Sequence, residues 1–139
     1  MTRGRLLVVL VPVLVLAATP PAHAQRAKAE LTCVPAGDRF AYDCTIHLSR
    51  GGQPLPGATI TVTADMPSMP MAHQVRPVAA RPGAAPGEYE ARLQLEMFGE
   101  WAVRLRLDGP VRDQLILHHD FQEAGASPAS PGAHGHRHR

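Results

Sequence analysis

Apolar residues recur at every second position through most of this chain. Phe40, Tyr42, Cys44, Ile46 and Leu48 lie on one side of an alternation whose other side carries Asp43, Thr45 and His47. That is the period of a strand with one buried face. Tyr89, Ala91, Leu93, Leu95 and Met97 alternate in the same way with Glu90, Arg92, Gln94 and Glu96, and Trp101, Val103, Leu105 and Leu107 alternate with Arg104 and Arg106. Further strands are predicted near 30–34, over the β-branched segment 58–63 with Ile60 and Val62 inward, and over 111–121. Gly51-Gly52-Gln53-Pro54, Gly99 and Asp108-Gly109-Pro110 supply turns between them. Prolines and glycines dominate 77–87, which excludes a helix there and predicts an extended or irregular crossing. No segment has helical periodicity. Roughly seven short strands joined by Gly/Pro turns predict an all-β fold, an antiparallel immunoglobulin-like β-sandwich.

The two ends do not fit this pattern. Arg3 and Arg5 precede an apolar run over 6–18, and Ala22-His23-Ala24 follows with the small-x-small pattern of a signal-peptidase site. The run holds about thirteen residues, whereas crossing a bilayer core takes roughly 20, so an uncleaved anchor is the weaker reading. Neither cysteine stands at the end of the run, where a lipid-attachment cysteine would be. Residues 1–24 are therefore expected to be a signal peptide, 25–121 the folded domain, and 122–139 a disordered His-containing tail. The tail has no aliphatic residue larger than alanine and cannot repay its ordering entropy. The mature protein is expected to be soluble and periplasmic, without a membrane span.

Removing residues 1–24 from 139 leaves 115, and removing Arg3 and Arg5 from the fourteen basic residues leaves twelve against twelve acidic ones. A net charge near zero gives no footing for nucleic acid or an anionic membrane surface. A chain of this size forms one modest core and gains from a covalent staple. Cys33 and Cys44 are suited to be that staple, because an exported chain favours a disulfide and Pro35-Ala36-Gly37-Asp38 offers a turn between them. Closing so short a loop contributes about 2–3 kcal/mol in the chain-entropy model. A thiolate metal site or a redox pair stays open at this point, although no C-x-x-C spacing is present.

Candidate chemistry is concentrated in Asp65-Met66-Pro67-Ser68-Met69-Pro70-Met71-Ala72-His73. Of the five methionines, Met1 leaves with the signal peptide and three of the other four fall within these nine residues. Two prolines forbid helix and ladder pairing, which predicts thioethers presented from a stiff, extended loop at one end of the sandwich. Thioether sulfur is soft and uncharged and prefers Cu(I), and an added imidazole suits copper in either oxidation state. Met66, Met69, Met71 and His73 are accordingly candidate copper ligands. Met97, at a strand end that can neighbour the loop, is a fifth; core packing beside Trp101 is its other reading. Trp101 itself reads first as a core anchor. The bland account of the loop is that its methionines are hydrophobic plugs or an adaptable contact for a partner protein.

The remaining histidines are weaker candidates. His118 and His119 must point to opposite faces of a regular strand, so at most one can serve any one site. His47 lies on a polar face. His134, His136 and His138 in the tail can gather Cu(II), Ni(II) or Zn(II) loosely or simply solubilise the chain. Cleavage after Ala24 gives the amino terminus Gln25-Arg26-Ala27, which lacks the third-position histidine of an amino-terminal copper site, whereas cleavage after Ala22 would expose His23. No G-x-S-x-G, no base for Ser49 or Ser68, and no phosphate-binding Gly-rich loop is present, so an enzyme is not expected.

Met66-Pro67-x-Met69-x-Met71-x-His73, then Pro86-Gly87-x-Tyr89, then Met97-x-Gly99-x-Trp101 with an alternating strand after it, resemble the YtkA-like domain family, to which FixH-type proteins are related, over roughly 31–113. The resemblance implies a small exported or membrane-anchored immunoglobulin-like domain associated with copper handling or the assembly of copper-containing oxidases. It implies Met66, Met69, Met71, His73 and Met97 as ligands and gives Gly87, Tyr89, Gly99 and Trp101 to the fold. The chain departs from FixH-type proteins in losing its apolar segment, and the cysteine pair and histidine tail have no counterpart in the pattern. A role tied to one oxidase complex is therefore not carried over. The expectation is a Cu(I) carrier or sequestering protein with a periplasmic copper acceptor as partner; the alternative is a metal-free interaction module of the cell envelope.

Overall fold

The structure, a computed structural model, describes residues 26–125; the expected signal peptide at 1–24 and the tail histidines lie outside the described residues. Its strands are β1 (Ala27–Pro35), β2 (Ala41–Arg50), β3 (Gln53–Pro54), β4 (Thr59–Asp65), β5 (Gln74–Ala79), β6 (Arg81–Pro82), β7 (Glu88–Gln94), β8 (Gly99–Asp108) and β9 (Asp113–Phe121). All pair antiparallel. One sheet runs β1-β2-β7-β6 with β3 on β2, and the other runs β5-β4-β8-β9. The described residues contain no helix long and apolar enough to cross a membrane.

The period-two residues do what their spacing dictates. Tyr42, Cys44, Ile46 and Leu48 from β2, Tyr89, Ala91 and Leu93 from β7, Ile60, Val62 and Ala64 from β4, and Trp101, Val103, Leu105 and Leu107 from β8 are buried between the sheets. Trp101 is fully enclosed, at 0% exposure, as the largest side chain of the core. Cys33 and Cys44 are register partners on β1 and β2 and form a disulfide. No free thiol remains among the described residues, so the thiolate reading of the cysteines does not hold.

Nine strands form against the roughly seven expected: the six that the alternation marks, β3 within the 51–54 turn, and β5 and β6 at the proline-rich stretch. β5 lies at a sheet edge on β4, and its register slips between Val62 and Ala64. Val78 and Val75 face those two residues, which puts Arg76 and Pro77 at the irregularity. An edge strand with a bulge is where a residue lacking an N–H donor is tolerated. Tyr89 explains its own place in the sequence: its hydroxyl donates to the Leu55 carbonyl at 2.8 Å and accepts from Ala58 N–H at 2.9 Å, holding the crossing from one sheet to the other.

Candidate functional site

β4 ends at Asp65, opposite Ala102 near the start of β8, and β7 ends at Gln94 on the same side of the molecule. The 66–73 loop and the 95–98 turn therefore emerge together. The Arg104 guanidinium braces the root of the loop, 2.8 Å from the Asp65 carboxylate.

The loop is compact rather than extended, because each of its prolines opens a turn. Met69 N–H donates to the Met66 carbonyl at 3.0 Å, and Ala72 N–H donates to the Met69 carbonyl at 3.2 Å. Pro67 and Pro70 take the second position of these two turns, where their fixed φ is already suitable. The third position of the second turn is Met71, held at φ 70°. Glycine or asparagine is the usual occupant there, so the chain carries strain at a methionine.

The two turns sort the thioethers. Met66 points into the core at 5% exposure, and Met69 packs half-buried against the same core. Met71 stands out in solvent at 89% exposure. Met97, from the 95–98 turn, packs half-buried against the core, and its carbonyl accepts the Trp101 Nε1–H at 3.3 Å. Gly99 sits against the Met66 methyl: a Cβ there would stand 3.1 Å from Met66 Cε, and the backbone lies at φ 126°. His73, half-buried, places Nδ1 against the Glu96 carboxylate. Loop and turn are thus joined at Met66 with Gly99 and at His73 with Glu96.

Among the described residues no group of three histidine, cysteine, aspartate or glutamate side chains is arranged to hold a metal ion. A metal at this end would draw on thioethers, which is a donor set suited to a soft cation such as Cu(I) and unsuited to magnesium or calcium. Met66 and Met97 have apolar surroundings, while Met71 and His73 reach solvent. The potential donors of the loop thus run from the core at Met66 to open solvent at Met71.

The other histidines divide as strand alternation requires. His118 faces outward, with Nδ1 3.0 Å from a Glu100 carboxylate oxygen. His119 faces inward, edge-on to the Phe121 ring at 4.5 Å between centroids, and burial lowers its pKa against an opposing pull from Asp120. His47 is exposed on β2. Glu96 was not singled out by the sequence, in which it is one of several polar residues alternating along a strand; its place beside His73, 23 residues away, depends on the stacking of the two sheets.

The model of the family described as YtkA-like matches residues 20–106. No curated protein and no solved structure matches the chain.

Proposed function

The chain belongs to the YtkA-like family, and from that premise we propose that it is an exported, non-catalytic copper-binding protein that carries Cu(I) to a periplasmic acceptor or sequesters it. The observation that carries this reading is Met71. A methionine at 89% exposure gains nothing from packing, yet it occupies a positive-φ position that glycine would fill without strain. A side chain kept at such a site is kept for what its sulfur or its surface can meet. Sulfur is the better account, because His73 closes the same loop and a second thioether, Met69, sits half-buried within it.

In this reading Met69, Met71 and His73 supply exchangeable ligands, and Met66 and Met97 line the apolar floor and can add a thioether. An acceptor's ligand would enter from the solvent side and displace Met71 first. The Cys33–Cys44 disulfide supports export to an oxidising compartment, where thioethers persist as soft ligands after thiols are lost.

An anaerobic Cu(I) titration of the mature chain against a competing chromophoric chelator tests the proposal. Stoichiometric binding is expected, and replacing Met69 and Met71 together by leucine should lower affinity by about 1.4 kcal/mol or more, a factor of about 10. Leucine preserves the apolar contact and removes the sulfur. Failure to compete with the chelator would sink the copper reading and leave the loop as a protein-contact surface.

A further inference from the structure

We propose that Glu96 is a positioning residue for His73: its carboxylate holds the ring as the Nδ1–H tautomer and leaves Nε2 as the lone pair offered to a metal. Glu96 lies in the turn after β7, next to Met97, and His73 is the last loop residue before β5. The contact joins Nδ1 to Oε2. An ionised carboxylate can only accept, so the proton between them belongs to the ring. A neutral imidazole carries one N–H, and with that hydrogen on Nδ1 the free lone pair is on Nε2. Nε2 has no hydrogen-bond partner among the described residues. Stability does not account for the pair, because both side chains reach solvent, at 27% and 58% exposure, and such ion pairs contribute little. Fixing a ligand imidazole by a carboxylate on its other nitrogen is, however, how metal sites orient histidine.

The molecule contains its own control. His118 and Glu100 make the same kind of contact at 3.0 Å, on the outer face of the β5-β4-β8-β9 sheet, where the strands carry no methionine. If a carboxylate beside an imidazole were merely a surface habit of this chain, removing either carboxylate would shift its own histidine's tautomer and leave Cu(I) affinity unchanged; the affinity is expected instead to respond to Glu96 and not to Glu100.

The metal half of the inference rests on the copper reading, and the tautomer half does not. Ring-nitrogen NMR of the metal-free mature chain, at about pH 8 where an ordinary imidazole is neutral, is expected to show His73 as the Nδ1–H tautomer. Glu96→Ala should shift it toward Nε2–H and weaken Cu(I) binding roughly 10–100-fold. Glu96→Gln, whose amide oxygen still accepts, should restore both, and Glu100→Ala should alter His118 alone. An unchanged His73 tautomer in Glu96→Ala overturns the proposal whatever copper does. A shifted tautomer with unchanged copper affinity overturns the ligand role of Nε2. Absence of Cu(I) binding by the wild-type chain brings down the copper reading and that ligand role together, while the tautomer result still decides whether Glu96 holds the ring.

Discussion

The two ends of this sandwich solve the same problem differently. At the end away from the methionines, every described residue with positive φ is a glycine: Gly51, Gly52, Gly57, Gly87 and Gly109. At the methionine end Gly37, Gly99 and Gly125 are joined by two residues with side chains, Phe40 at φ 64° and Met71 at φ 70°. The strain at Phe40 is offset by packing, since its ring meets Phe98 edge-on at 4.6 Å and lies 4.8 Å from the Arg39 guanidinium. Met71 has no such compensation. One end uses glycine at each of these positions and needs it for close backbone approach at Gly87 and Gly109, and the other keeps side chains where glycine would be easier.

The sharpest way to break the glycine end is Gly87→Ala. A Cβ there would stand 2.7 Å from the Leu48 carbonyl oxygen, 2.9 Å from Leu55 N and 2.9 Å from Pro54 Cβ, on a backbone at φ 76°. Backbone cannot yield as a flexible side chain can, so a loss of about 3 kcal/mol is expected in denaturant unfolding. A loss below about 1 kcal/mol would mean that this end is looser than its geometry.

Met71→Gly probes the other end and should act in the opposite sense. Relief of strain competes with the entropy glycine adds to the unfolded chain, leaving a net change within about 1 kcal/mol and in the stabilising direction. Copper affinity should fall at the same time. Clear destabilisation, read as a lower Tm, would show that the Met71 side chain holds the loop together and would remove the argument for a ligand.

The smallest effect expected is at His119. Burial lowers its pKa below the ordinary 6.5, with Asp120 opposing. The unfolded chain then takes up the proton more readily than the folded one. Stability is intact above about pH 6.5 and is lost as pH falls through that value toward the lowered folded one. His119→Gln should flatten this part of the stability profile. An identical acid slope in the variant would place its origin elsewhere.

Much of the site was readable and its arrangement was not. The strand faces, the cysteine pair and the methionine cluster follow from local rules. Reading the two prolines as stiffness predicted an extended loop, whereas each one opens a turn, and it is those turns that send Met66 inward and Met71 outward. The prolines and glycines of 77–87 argued for an extended or irregular crossing, and its first part is extended: the bulged sheet edge accepts Pro77 within β5.

By itself, the sequence determined which side of each strand is buried, because alternation is a property of the extended backbone and needs no partner. It also determined that soft donors crowd one loop. Only the tertiary structure decided that Gly99 makes room for the Met66 methyl, that Met97 packs half-buried against the core cluster that also contains Met66, and that Glu96 meets His73. Those contacts link segments more than twenty residues apart: Gly99 meets Met66 because β4 pairs with β8 in one sheet, and Glu96 meets His73 because two twisted sheets stack, which no local pattern specifies.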